Sequence, residues 1–218
     1  MKHATTYLVL SLALLLAACS GKDDDAAFVE YRYDFVTYMG YSGGVATWEY
    51  IGQGDSASVT LRATMAEPEK IEAGQRVLLS YTVPDTQGRI TVKSINFANV
   101  ASDSLRVSTK PVAEYAQHPI KLGAIWRTGG YINLRCEVEY TGKTRAFYLL
   151  ADQATLECDT VHCYLVHDLM EADTTYFWRN CYGSFYVGKA FNRATCRTLR
   201  VHLVDKTYPE VAYYDFSK

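Results

Sequence analysis

The chain has 218 residues, with 22 Lys and Arg against 24 Asp and Glu, a formal net charge of -2. That balance supplies no basic field and excludes binding steered by nucleic-acid phosphates. Hydrophobic residues are 49% and charged residues 21%, a globular composition rather than that of a disordered chain. Tyr 18 against Met 4, with many Val and Thr, tilts the expectation towards β structure.

Residues 1–18 open with Lys2 and His3 and continue as an apolar run over residues 7–16. The run is too short for a permanent membrane helix and reads as the core of a signal peptide. It ends in Leu16-Ala17-Ala18-Cys19, which resembles the lipobox of bacterial lipoproteins, where the cysteine is lipidated and opens the mature chain. Residues 19–27 form an acidic, flexible tether. Within it Lys22, Asp23, Asp24 and Asp25 resemble the export signal of Bacteroidetes surface lipoproteins. These resemblances imply a protein lipid-anchored in the outer membrane and exposed at the cell surface. More than one acyl chain is needed for stable anchoring. No later apolar stretch reaches about 18 residues, so a soluble body is expected after the tether.

From residue 28 onward the pattern has period two. Val59, Leu61 and Ala63 alternate with Ser58, Thr60 and Arg62. Val77, Leu79, Tyr81 and Val83 alternate with Leu78, Ser80 and Thr82. Ile132, Leu134, Cys136, Val138 and Tyr140 alternate with Asn133, Arg135, Glu137 and Glu139. Each run predicts a strand with one buried and one wet face. Glu72-Ala73-Gly74, Pro84-Asp85-Thr86-Gln87-Gly88, Thr128-Gly129-Gly130 and Thr141-Gly142-Lys143 supply turns between them. No convincing amphipathic helix appears, and at most residues 111–117 make a helical turn or a linker. About a dozen strand candidates predict an all-β chain. Residues 28–112 carry the strand count of a small OB-like barrel. Residues 113–218 have the turn spacing of an Ig-like β-sandwich, with a single larger sandwich as the alternative.

Gly74-Gln75-Arg76-Val77-Leu78-Leu79-Ser80-Tyr81 is similar to a strand of the NigD-like lipoproteins. Further similarities are His118-Pro119-Ile120-Lys121-Leu122, Gly130-Tyr131-Ile132-Asn133-Leu134 and Asp159-Thr160-Val161-His162-Cys163-Tyr164-Leu165, in the expected order. The resemblance implies an OB-like domain followed by a sandwich, and an association with bacteriocin immunity. It brings no catalytic residue, and the fold type alone assigns no function.

Six cysteines leave five after Cys19: Cys136, Cys158, Cys163, Cys181 and Cys196. An odd number leaves at least one free or paired between molecules. Strand phase turns Cys136, Cys163 and Cys181 towards the core, where a thiol behaves as a small hydrophobe. If a disulfide forms, Cys158 with Cys196 is the expected pair. His162 and His167 lie five apart in a strand and face opposite sides, so they cannot share a metal ion. His202 points outward beside Arg200. No metal site and no cofactor are expected.

Gly40-Tyr41-Ser42-Gly43-Gly44 matches the G-x-S-x-G pattern of hydrolases, but strand-like segments flank it and no helix follows. A hairpin turn is the simpler reading. Glu137 and Glu139 share a strand face about 7 Å apart, a spacing that glycosidases use, but they sit on a polar face with Arg135. No catalytic residue is assigned, and the chain is read as non-enzymatic. Tyr31, Tyr33, Phe35, Tyr38 and Tyr41 crowd one stretch. Tyr176, Trp178, Tyr182 and Tyr186 share a phase opposite to Phe177 and Phe185, and form the candidate binding face, with core or half-buried packing as the plainer reading. The function expected is an envelope lipoprotein that binds a protein or peptide partner. The alternatives are a carbohydrate-binding accessory lipoprotein and a structural envelope component.

Overall fold

The computed structural model describes residues 30–54, 57–91, 100–142, 145–170 and 177–218. Cys19, Lys22, Asp23, Asp24, Asp25 and Tyr176 lie outside them. Strand β1 (Tyr31–Ser42) folds back into β2 (Val45–Ile51), β3 (Ser58–Thr64) pairs with β2, and β4 (Arg76–Thr82) takes the other edge of β1. All three pairings are antiparallel. Gly43 and Gly44 make the β1–β2 turn at φ 58° and 81°, the positive-φ pair of a two-residue hairpin. The G-x-S-x-G match is therefore a hairpin, with Ser42 opposite Val45. Val36, Trp48, Leu61, Leu79 and Tyr81 fill the concave side of this sheet.

Residues 88–91 reach both edges of the sheet. The Arg62 N–H of β3 donates to Gly88 (2.9 Å), Ile90 donates back to Arg62 (2.9 Å), and the Thr82 N–H of β4 donates to Thr91 (3.3 Å). These are isolated bonds, so among the described residues the sheet curls without closing into the expected barrel. Local turn chemistry explains the difference. Pro84 ends β4 by removing a backbone donor. Asp85 then accepts from the N–H groups of Gln87 (2.8 Å) and Arg89 (2.9 Å), which binds the segment as a loop rather than a strand.

The rest of the chain forms two further sheets. One has the order β5 (Val100–Ser104), β11 (Phe177–Tyr186), β8 (Tyr131–Tyr140), β7 (Lys121–Thr128). The other runs β13 (Tyr213–Ser217), β12 (Thr198–His202), β10 (Thr160–Asp168), β9 (Ala146–Ala151), β6 (Arg106–Val107). Ile132, Leu134, Cys136 and Val138 of β8 face Leu149, Cys163, Leu165 and Val201 across a shared core, the arrangement of a sandwich. The alternation legible in β8 marks this inner face. β5 and β6 belong to different sheets, and buried Leu105 between them takes the chain across the sandwich. Both strands precede residue 112, yet they pair with the C-terminal half. Residues 111–117 contain one short helical turn, Val112–Glu114.

The curled sheet and the sandwich meet through a buried polar cluster. From Tyr31 onward the described residues belong to one unit by their contacts. In β1 four consecutive residues, Phe35 to Tyr38, are buried, so both faces of the strand are covered there. Arg76 at the start of β4 is only 3% exposed. Its Nε donates to Ser184 Oγ (3.0 Å), one terminal nitrogen to Thr37 Oγ1 (3.2 Å) and the other to Asn133 Oδ1 (3.3 Å). Ser184 also donates to Asn133 (2.7 Å), and Asn133 Nδ2 donates to Thr128 Oγ1 (2.8 Å). The guanidinium lies 4.3 Å from the Tyr131 ring centre, a cation–π contact. Burial pulls the Arg76 pKa down to about 10, so the group keeps its charge at neutral pH.

Hydrogen bonds to a charged group contribute about 1.5–3 kcal/mol each, and those made by neutral hydroxyls about 1 kcal/mol. Arg76→Ala removes three of the former and leaves a cavity, but also relieves the cost of burying the charge, so it is expected to lower stability by about 3–5 kcal/mol in urea unfolding. Ser184→Ala removes an acceptor of the Arg76 charge and should cost about 1.5–3 kcal/mol. An Arg76→Ala midpoint equal to that of the wild type would contradict this role.

His167, on β10, is 1% exposed. Its Nδ1 lies 3.1 Å from the His118 carbonyl, which requires an Nδ1–H donor, and its buried Nε2 has no partner. Burial holds the His167 pKa below its ordinary value against the opposing hydrogen bond to the His118 carbonyl, and the Arg145 charge acts in the same direction as burial. The unfolded chain therefore takes up the proton first as pH falls, so stability present at neutral pH is lost below about pH 6.5. The urea midpoint should fall from pH 7 to pH 5, and His167→Gln, which can still donate to His118, should flatten the fall. An unchanged pH profile in that variant would exclude His167 as a source.

Candidate functional site

Where the curled sheet faces β7, β8 and β11, the two surfaces leave an open cleft of about 400 Å³. In β1, Tyr33 and Phe35 alternate with the core residues and point out of the curled sheet, and Leu78 of β4 stands opposite Phe35 in register. The other wall comes from Trp126, Arg135 and Tyr182. Arg135 and Tyr182 are direct cross-strand partners on β8 and β11. Phe35 forms the floor, with its ring centre 5.4 Å from Trp126 and 6.2 Å from Tyr182. Tyr33 at the rim is 67% exposed. Behind Phe35 and Trp126 lies a second hollow of about 400 Å³, lined in part by Asp34, Tyr50 and Thr128. Asp34 accepts a hydrogen bond from the Tyr81 hydroxyl (2.8 Å). That bond and burial both raise the Tyr81 pKa, so the phenol stays protonated.

Arg135 is exposed and makes no ion pair among the described residues. The carboxylates nearest it in sequence are already engaged: Glu137 with Lys121 (3.4 Å) and Glu139 with Lys206 (3.8 Å). The cleft thus pairs aromatic faces with an unneutralised guanidinium, a set suited to an apolar or aromatic group beside a carboxylate.

The candidate face read from the sequence is divided by the structure. Tyr182 belongs to the cleft. Trp178 is half-buried under two ammonium groups, Lys121 at 4.3 Å and Lys206 at 5.0 Å from its ring centre. Tyr186 packs against Tyr131 (5.4 Å) and covers Gly130 and Gly188, where a Cβ would come within 3 Å of its ring. The opposite phase holds the core residue Phe185, while Phe177 at the strand start is exposed and stacks on Tyr140 (4.9 Å). Tyr33, Phe35, Trp126 and Arg135 are the members that strand reasoning left unassembled. The tyrosine-rich stretch around Phe35 was visible, but its partners are about 90 or more residues away in the chain.

Cys158 is exposed, Cys196 is buried, and both are free thiols, so the expected Cys158–Cys196 bridge is not formed. Cys196 instead contacts the Thr198 carbonyl (3.7 Å). Cys136 and Cys163 are core residues, and Cys181 packs partly buried against the same core. His162 and His167 do face opposite ways. His162 meets His202 on the outer face, Nδ1 to Nε2 3.1 Å, with Tyr164 stacked on His202 at 4.5 Å. Burial, with His162 and Arg200 nearby, lowers the His202 pKa. Among the described residues no group of three or more His, Cys, Asp or Glu is placed to hold a metal ion, and no helix is long and apolar enough to cross a membrane.

No protein-family model matches the chain, and no curated protein sequence matches it. Several solved structures share its fold. A protein of unknown function from Bacteroides vulgatus superposes with a TM-score of 0.65 at 11% identity, covering 87% of this chain and 91% of the other. A NigD-like immunity protein from Bacteroides caccae does so with a TM-score of 0.56 at 18% identity, covering 87% and 97%. A candidate lipoprotein from Bacteroides fragilis gives 0.56 at 12% identity, covering 87% and 96%. At these identities the likeness is one of fold, and at that level it meets the NigD-like resemblance read from the sequence.

Proposed function

We propose that this chain is a non-enzymatic envelope lipoprotein that binds a protein or peptide partner in the cleft between its curled sheet and its sandwich. The observation that carries this reading is the cleft itself. Four aromatic side chains surround one arginine that makes no ion pair among the described residues. A peptide segment with an apolar or aromatic side chain next to a carboxylate would pack on Tyr33 and Tyr182, over the buried Phe35, and neutralise Arg135. The lipobox-like sequence ending at Cys19 and the run from Lys22 to Asp25 support anchoring in the outer membrane at the cell surface. The shared fold with a NigD-like immunity protein and a candidate lipoprotein supports the same setting. Bacteriocin immunity is one specific form of this reading, in which the cleft would occupy a toxin's contact surface.

The test is retention of a partner by the protein beginning at Ala26, exposed to envelope extract and spent medium of the producing cells. Arg135→Glu and Tyr33→Ala change exposed side chains and should leave folding intact. The partner's affinity should fall about tenfold or more with Arg135→Glu and less with Tyr33→Ala. Equal binding by both variants would move the contact away from the cleft. Retention of a polysaccharide in place of a polypeptide would favour the carbohydrate-binding reading.

A further inference from the structure

Cys136 and Cys181 stand directly opposite one another on the antiparallel strands β8 and β11. Directly opposed residues have Cα atoms about 4.5–5.5 Å apart, inside the range of about 4.4–6.8 Å that a disulfide spans. Their environments differ. Cys136 is buried at 2% exposure, whereas Cys181 is half-buried. A hollow of about 390 Å³ lined by Cys136, Asn180 and Lys121 opens beside the pair. No other two cysteines share a register in the strand pairings of the described residues.

We propose that Cys136 and Cys181 are a thiol–disulfide couple, Cys181 attacking an external disulfide and Cys136 resolving it into a cross-strand bridge. Cys181 sulfur, as thiolate, attacks one sulfur of a disulfide RSSR; the S–S bond breaks and one RS⁻ leaves. Cys136 then loses its proton to solvent and attacks the Cys181 sulfur of the mixed disulfide, releasing the second RS⁻. Two protein thiols and one RSSR become one protein disulfide and two RSH, so two electrons pass from the pair to the external disulfide.

The order of attack follows from electrostatics and access. A hydrogen bond from Cys136 holds the Cys181 thiol below its ordinary pKa, and Arg145 and Arg179 act in the same direction. The same bond, with burial, pushes Cys136 up. The half-buried, more acidic sulfur is thus the first nucleophile. The next rung of the ladder is Arg135 with Tyr182, which share one wall of the cleft, so the bridge would clamp β8 to β11 one residue from the binding site. This couple does not depend on which ligand the cleft takes.

The experiment is incubation of the full chain with oxidised glutathione, followed by blocking of free thiols and peptide mapping without reduction. The expected result is one cross-linked peptide pair containing Cys136 and Cys181, two hydrogens lighter than the two reduced peptides together, whatever glutathione adds at the exposed Cys158. With Cys136→Ser, glutathione should remain attached to Cys181; with Cys181→Ser, Cys136 should stay reduced. Blocked thiols at both positions in the oxidised wild type, or a cross-link between Cys158 and Cys196 instead, would overturn the proposal. The wild-type map decides the matter even if a serine variant fails to fold.

Discussion

Taking the Arg76 guanidinium out of water with no ion-pair partner among the described residues costs several kcal/mol by itself. The fold offsets that cost with three hydrogen bonds, to Ser184, Thr37 and Asn133, and with the face of the Tyr131 ring. Those partners come from three places: Thr37 from the curled sheet, Asn133 and Tyr131 from β8, Ser184 from β11. Thr37 is the cross-strand neighbour of Arg76 within the curled sheet, whereas the bonds to Ser184 and Asn133 can be made only when that sheet sits against the sandwich. A neutral side chain at the junction would tolerate sliding, whereas a planar donor fork with buried acceptors fixes one arrangement.

The cleft is a consequence of that arrangement. Arg76 holds the starts of β4 and β1's buried stretch against the sandwich, and the two surfaces diverge from there towards Tyr33 at the rim. Phe35 is pressed between Trp126 and Tyr182 as the floor. The walls are therefore rigid strand residues, not loop residues, which lowers the ordering cost of binding a partner. The two arginines differ in setting: Arg76 is buried and hydrogen-bonded by the protein, while Arg135 is exposed and makes no ion pair among the described residues.

Much of the fold was legible because strands with one wet face announce themselves. Val161, Cys163 and Leu165, or Ile132, Leu134, Cys136 and Val138, mark inner faces by period two alone. Asn133 and Ser184 show where that reading ends. Asn133 lies in the phase assigned to solvent and Ser184 in that of the candidate binding face, and both are wholly buried because a second sheet covers that face. A covering layer contributed from about 100 residues away leaves no local periodicity. Its traces were the unbroken run of buried residues from Phe35 to Tyr38 and an arginine at the head of an apolar strand. The His162–His202 pair was missed for a similar reason, since parallel neighbours 40 residues apart cannot be set in register by spacing. The barrel was over-read: five strands were counted, but the Pro84 to Gly88 turn chemistry turned the closing segment into a loop.

The claim most open to direct test is that Arg76 acts through its bonds across the junction rather than as buried bulk. A double-mutant cycle in urea unfolding, combining Arg76→Met with Asn133→Ala, isolates that link, because methionine keeps much of the stem volume and removes the donors. The account predicts that the two changes are non-additive by about 1–3 kcal/mol. Additive effects, within about 0.5 kcal/mol, would show that the Arg76–Asn133 bond does not hold the curled sheet on the sandwich and would contradict it.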